Sequence, residues 1–208
     1  MIVNSEMPES YGEVNLQPEE YCYTVYMPIR NITGSEFKQW HIPDNLKWVE
    51  PLLYKIDWHD LVEYNVAYLT AKHMYVDGYQ NRPGWHIDGF GGDDVNYIWC
   101  SDNPTQVAVQ EFNLSNDHKK SLWEMEEQVS DSNIKMLKSK HLYRLDTSVV
   151  HRCPPVFETM LRTFVKLSLS NEVYNLKGNA SNPLIKSKVF GNKVKRSSGR
   201  NHPVGSLK

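Results

Sequence analysis

The chain has 208 residues, of which 40% are hydrophobic, 12% aromatic and 23% charged, the make-up of one soluble globular domain with appendages and not of a disordered, collagenous or repeat-built chain. Its apolar runs stop after a few residues, far short of the ~18–20 that a membrane helix needs, and the opening MIVNSEMPES lacks the basic and apolar regions of a secretory leader. A cytoplasmic protein with no membrane association is expected. The formal net charge of −2 is unevenly divided: residues 1–176 hold all 25 acidic and 15 basic residues, a net −10, and residues 177–208 hold eight Lys and Arg with no acid.

The first twenty residues are acidic and contain Pro8 and Pro18, which reads as a loosely held arm. YCYTVYMPIR, residues 21–30, alternates aromatic and β-branched types as a strand does. Asp44 is placed to cap a helical segment with Leu46, Val49, Leu52, Leu53 and Ile56 at helical spacing, interrupted by Pro51. The stretch Asp57–Asn65 fits neither pattern.

From Val66 onward the chain changes character. VAYLTAKHMYV, VNYIWC, QVAVQEFNL, HLYRLD, SVVHRC and RTFVKLSLS are short β-rich runs separated by Asp-Gly, Gly-Gly and Pro-Pro turn signals, a density that indicates a sandwich or barrel. NDHKKSLWEMEEQVSD interrupts them with Leu122, Met125 and Val129 at helical spacing, an inserted amphipathic helix. The expected domain spans 1–176, with an N-terminal support over 1–65 and a β-core over 66–176. Residues 177–208, rich in Gly, Ser, Asn and Lys, read as a basic flexible tail, and 186–208 as a weak contact for polyanions. The three cysteines, Cys22, Cys100 and Cys153, are odd in number with no CxxC pair, which excludes a disulfide framework and fits a reducing compartment.

The chemistry concentrates in Arg82-Pro83-Gly84-Trp85-His86-Ile87-Asp88-Gly89-Phe90. On a strand, residues i and i+2 leave the same face, so His86 and Asp88 converge as two ligands of one metal must. His151, in DTSVVHRCPP, lies on a β-branched run that a β-core can bring alongside. Two imidazoles and one carboxylate form the facial set that leaves adjacent positions of a non-haem Fe(II) open. Arg162 follows His151 by eleven residues, where the next strand would carry a guanidinium able to grip a carboxylate at two points.

His86-x-Asp88, His151 and Arg162, in this order and spacing, resemble the Fe(II)/2-oxoglutarate-dependent dioxygenases over residues 65–170, in the prolyl-hydroxylase-like branch. The resemblance implies a double-stranded β-helix, a jelly-roll or cupin-like barrel of eight core strands with the metal at its open end. It also implies oxidation of a substrate C–H bond coupled to conversion of 2-oxoglutarate and O2 into succinate and CO2. His86, Asp88 and His151 would then bind Fe(II), Arg162 the distal carboxylate of 2-oxoglutarate, and Tyr75, Tyr79 or Tyr97 would assist it. Many relatives carry Ser or Thr two residues after the Arg, where this chain has Phe164, and Lys166 on the same strand face is the alternative cation. Two other readings stay open: a cupin-like metal enzyme that does not use 2-oxoglutarate, and a non-catalytic jelly-roll binding module. The substrate is a small molecule, a peptide or a nucleic acid.

The remaining histidines, His41, His59, His73, His118, His141 and His202, read as ordinary core or surface residues, and Arg82 and Arg152 as ion-pair partners. Trp85, Phe90 and Trp99 read as core or rim aromatics, and Cys153 as a buried structural thiol. Asp93 and Asp94 read as solvated turn residues in a loop able to act as a lid.

Overall fold

The computed structural model describes residues 1–31, 39–80 and 83–185. The architecture is mainly β. Eleven strands occur among the described residues: β1 (Ile2–Ser5), β2 (Glu9–Glu13), β3 (Cys22–Asn31), β4 (Val66–Gly78), β5 (Val95–Cys100), β6 (Gln106–Ala108), β7 (Gln110–Asn113), β8 (Ile134–Met136), β9 (His141–Leu145), β10 (His151–Arg152) and β11 (Val156–Ser170). They form a six-stranded sheet in the order β2-β9-β5-β11-β4-β3, a three-stranded sheet β10-β6-β8 and a pair β1-β7. Every pairing is antiparallel. No helix among the described residues is long and apolar enough to cross a membrane.

The large sheet is two-sided because its strands alternate. Leu69 and Ala71 of β4, Tyr97 and Trp99 of β5, and Val165, Leu167 and Leu169 of β11 bury against one cluster with Leu46, Val49, Leu52, Leu53 and Ile56. Each such side chain removed from water stabilises the fold by about 1.5–3 kcal/mol. The N-terminal helical segment that supplies this cover begins as a 3₁₀ turn over Asp44–Val49 and continues as α1 (Glu50–Leu53). Asp44 is not its cap: that position is Pro43, and Asp44 pairs with Lys47 instead. Pro51 falls in the first turn of α1, where its missing N–H is harmless, so it starts this helix where the sequence pattern expected an interruption.

The undecided stretch after it forms α2 (Trp58–Glu63), capped by Asp57, whose side chain accepts from His59 N. Asp60 of α2 is buried and anchors the helix to the sheet. It accepts from Arg144 Nε at 2.7 Å and NH2 at 2.9 Å, and from the Tyr97 hydroxyl at 2.6 Å. A charge out of water needs such bidentate pairing to be tolerated.

The small sheet has its own cover. The inserted helix α3 (Lys120–Gln128) buries Leu122 and Met125 with Phe112, Trp85, Ile87 and Val150, as its spacing predicts. Between the sheets, Val107, Tyr143, Leu145, Val149 and Phe164 form a third cluster.

Two expectations change at the ends of the chain. The acidic start is not a loose arm: β1 pairs with β7, β2 pairs with β9, and Val3, Ser5, Val14 and Leu16 are buried. Residues 177–185 belong to the folded body, since Ala180 N donates to Val25 O and Asn182 Nδ2 donates to the carbonyls of Pro28 and His41. The polyanion contact expected over 186–208, together with His202 and Arg82, lies outside the described residues.

Candidate metal centre

Around the bridge that His86 makes with His151, Trp85 and Ile87 enter the apolar cluster under α3, and His86 and Asp88 face the cavity, which Ile87 also borders. Gly84 at φ 80° and Gly89 at φ 70° bracket this stretch. Gly89 is required twice over, by its left-handed backbone and because a Cβ there would meet Asp94 Cβ at 3.0 Å and Thr147 Cγ2 at 3.2 Å. His151 arrives on β10, which pairs with β6. Reciprocal backbone hydrogen bonds between His86 and His151, at 3.0 and 2.9 Å, set the two imidazoles side by side with ring centres 4.5 Å apart.

The ligand atoms of His86, Asp88 and His151 lie within 4.8 Å of one another. Each imidazole engages a backbone carbonyl through Nδ1, His86 with Gly84 O and His151 with Val149 O, both at 3.0 Å. A carbonyl only accepts, so Nδ1 carries a proton and Nε2 is the nitrogen each ring can offer to a metal. Two imidazoles and a carboxylate suit a divalent transition metal. This is the cluster the His-x-Asp pattern and His151 pointed to, and its donor set can hold such an ion.

The triad borders a cavity of about 630 Å³, within the usual range for small-molecule sites. The floor is the second face of the large sheet, laid out in rows by the strand register. Lys72, Phe164 and Cys100 form one row; Thr70, Lys166 and Ile98 the next; Tyr68, Ser168 and Asn96 the third. Rows two residues apart are about 7 Å apart along the strand.

Lys166, in the middle row, donates to Asp88 Oδ2 at 2.9 Å and to the Tyr26 hydroxyl at 3.1 Å. Burial alone would raise the Asp88 carboxyl, but the Lys166 ammonium, with His151 and His86, outweighs it and holds the group well below the usual carboxylate range. Burial likewise works against the Lys166 ammonium, and Asp88 and Tyr26 reverse it, holding the group above its ordinary value. Lys72 moves the other way, lowered by burial and by the nearby charges of Lys166 and Arg162.

The anchors expected for 2-oxoglutarate lie elsewhere. Arg162 is on the cavity-facing side of β11 but one row beyond Lys72, opposite Met74. Its Nε and NH2 donate to the carbonyls of Asp102 and Asn103 at 2.9 and 3.2 Å, and its guanidinium rests 5.3 Å from the Phe164 ring centre. It ties a turn to the sheet and is not among the residues lining the cavity. Tyr97 has the opposite parity to Asn96 and Ile98, so its hydroxyl serves Asp60 on the helix-covered face. Tyr75 is exposed beside Tyr21, and Tyr79 is also exposed. Neither Tyr75 nor Tyr79 lines the cavity.

Sequence reasoning missed three features of this space. Lys72 lines it because β4 pairs with β11 in a register that only the fold reveals. Tyr26 enters it from a bulge in β3. Asp94 is buried and accepts from the hydroxyls of Ser170 and Tyr174, so it fastens the loop after Asp88 to the segment after β11 instead of standing in solvent. Asn179 and Lys177 of that segment also line the cavity. Cys153 keeps the role expected of it, a buried thiol, but Arg152 is not seen in an ion pair among the described residues: its guanidinium stacks 4.4 Å from the Trp85 ring centre and donates to Gln106.

No protein-family model and no curated protein matches the chain. Among solved structures it is similar to AviO1 from Streptomyces viridochromogenes Tue57, at 14% identity and a TM-score of 0.41 over 74% of this chain and 75% of that one. It is also similar to EvdMO1, at 15% identity and a TM-score of 0.40 over 81% of this chain. The chain covers 40% of EvdMO1. Neither likeness carries a function across.

Proposed function

We propose that the protein is a non-haem Fe(II)- and 2-oxoglutarate-dependent dioxygenase that oxidises a C–H bond of a small-molecule substrate, with release of succinate and CO2. The observation that carries this reading is the convergence of two imidazoles and one carboxylate on a cavity lined by Lys72 and Lys166. Two facing antiparallel sheets with the triad between them fit the double-stranded β-helix of that family. His86, Asp88 and His151 would hold the metal. Iron bound there supplies the oxygen chemistry that couples oxidative decarboxylation of the keto acid to oxidation of the substrate.

The chain's own part is binding, orientation and exclusion of water. Lys166 keeps Asp88 ionised and so fit to be a ligand. Its ammonium has three N–H donors, two of them used on Asp88 and Tyr26, which leaves one for an anionic co-substrate beside the triad. Lys72, a row away at about 7 Å, takes the distal carboxylate, the part the spacing suggested for Arg162. Charge supports an anionic co-substrate: Lys72, Lys166 and Lys177 line the cavity with the carboxylates of Asp88 and Asp94, so a divalent ion at the triad leaves an excess of positive charge there. The other direction from the triad, past Asn96 and Ser168 toward Tyr174 and Asn179, carries amides and hydroxyls and is where the substrate would enter.

The test is anaerobic titration of 2-oxoglutarate into the Fe(II)-loaded protein. A visible charge-transfer band that appears with 2-oxoglutarate and is lost in Asp88→Ala supports the reading. Iron binding with no band would leave a metal protein that does not use 2-oxoglutarate, and no iron binding would sink the metal centre itself.

A further inference from the structure

Tyr26 is one of three non-glycine residues among those described with a positive φ, at 48°. A β-carbon disfavours this backbone region, and such residues persist where surrounding structure holds them and cluster at functional sites. Its cause lies in the register of β3 against β4. Thr24 pairs with Ala71 and Met27 with Leu69, so Val25 and Tyr26 together stand opposite Thr70 alone. That is a β-bulge, and it solves a parity problem.

Ala71, Leu69 and Met27 lie in the apolar cluster under the N-terminal helices. Strict alternation from Thr24 would turn Tyr26 toward that cluster. With the extra residue, both Val25 and Tyr26 line the cavity, and Tyr26 N is held by Thr70 Oγ1 at 3.1 Å. Thr70 shares its row with Lys166. The bulge thus delivers a phenol to the buried lysine that contacts a metal ligand: Lys166 Nζ lies 3.1 Å from the Tyr26 hydroxyl, 5.0 Å from its ring centre and 2.9 Å from Asp88 Oδ2.

We propose that Tyr26 is a positioning residue for the metal centre, acting through Lys166 to hold the Asp88 carboxylate in the orientation that offers an oxygen to the metal. The inference rests on the metal-binding part of the function proposed above and adds a residue from a strand that carries none of the ligands. Anchored on one side by the phenol, the ammonium contacts a single carboxylate oxygen, Asp88 Oδ2. With the phenol gone, Lys166 depends on Asp88 alone, competes with the metal for both oxygens, or draws the carboxylate off axis. Each outcome weakens metal binding, and groups that orient ligands typically change metal affinity by about 10–100-fold.

The experiment is equilibrium binding of Co(II) to the full chain, read from its visible absorption, for the wild type, Tyr26→Phe, Lys166→Met and the double variant. Tyr26→Phe keeps the ring, which lies 6.2 Å from Tyr68 and 6.3 Å from Tyr174, and removes only the oxygen. The expected result is Co(II) affinity about 10-fold weaker in Tyr26→Phe, an unchanged melting temperature of the metal-free protein, and no further effect of Tyr26→Phe once Lys166 is Met. A residue of merely structural importance would lower the melting temperature and act equally in both backgrounds. If Tyr26→Phe does not fold, Tyr26→Asn, which tolerates a positive φ, removes the same oxygen and must show the same loss. Affinity within twofold of the wild type, or an effect that survives in the Lys166→Met background, overturns the proposal. Failure of the wild type to bind Co(II) at all sinks the metal centre instead, so the two failures are distinct.

Discussion

One face of the sheet formed by β4, β11 and β5 presents Leu69, Ala71, Tyr97, Trp99, Val165 and Leu167 to the N-terminal helices, and the other presents Thr70, Lys72, Asn96, Phe164 and Lys166 to the cavity, with Ser168 buried beside Asn96. The same three strands supply both. Polar groups on the cavity face are held by one another, as when Ser168 Oγ donates to Asn96 Oδ1 at 2.6 Å, and burial on the helix-covered face supplies most of the stability. The faces can therefore be tuned separately: substitutions on one should report on folding and on the other on ligand binding.

The sharpest way to break this division is at the staple on the helix-covered side. Asp60→Ala leaves Arg144 half-buried without its carboxylate, an expected loss of about 3–5 kcal/mol in denaturant unfolding; the protein that still folds should bind Co(II) as before, and weakened binding would show that the faces are coupled. Leu167→Ala, on the same face, should cost about 2–5 kcal/mol by the same measurement, again with metal affinity unchanged. Across the sheet, Lys72→Met should reverse the pattern. A lost hydrogen bond to a charged group is worth about 1.5–3 kcal/mol, so the Kd for 2-oxoglutarate should rise about 10–100-fold while thermal stability holds or increases, because a buried cation has been removed.

Alkaline pH acts more gently and on both faces, since burial also raises the Tyr68 hydroxyl in the third row of the cavity side. Burial pushes the Tyr64 hydroxyl up to about 12 and raises that of Tyr97, which also donates to Asp60. In the unfolded chain these groups ionise near 10, so their contribution to stability is complete below pH 10 and is lost as pH rises toward 12. Melting temperatures should fall over that window, and Tyr64→Phe with Tyr97→Phe should flatten the fall. Smallest of all, Ser168→Ala should change stability by about 1 kcal/mol, and a larger loss would mean that the polar rows also hold the sheet together.

What could be seen in advance follows the range of the forces involved. His86 and Asp88 are two apart in sequence, so their convergence is a local property visible without any partner, although the structure gives His86 a single bridge to His151 and Asp88 a turn where the pattern suggested a strand. The alternation of the β-runs and the spacing of Leu122 and Met125 are equally local. Arg162 illustrates the limit: its strand face follows from parity, but whether a guanidinium enters a cavity or folds onto a turn depends on the Asp102 and Asn103 carbonyls, sixty residues earlier. Tyr97 and Tyr75 have the wrong parity, which a run such as VNYIWC, apolar on both faces, does not disclose. The bulge that turns Tyr26 inward exists only as a mismatch between two strands. The acidic arm is a pair of strands because its partners, β7 and β9, lie about a hundred residues on.

Ser5 accepts a hydrogen bond from Val150 N at 2.9 Å across a separation of 145 residues, and Val150 immediately precedes His151. During synthesis at about 5–20 residues per second, the first strand would wait roughly 7–29 s for that partner. The triad is therefore assembled late, once the stretch that carries His151 has been made and docked against Ser5, and until then a newly made chain could not retain a metal ion through all three ligands. The moment at which a nascent chain first protects its bound ion from a chelator would time the docking of its earliest strand.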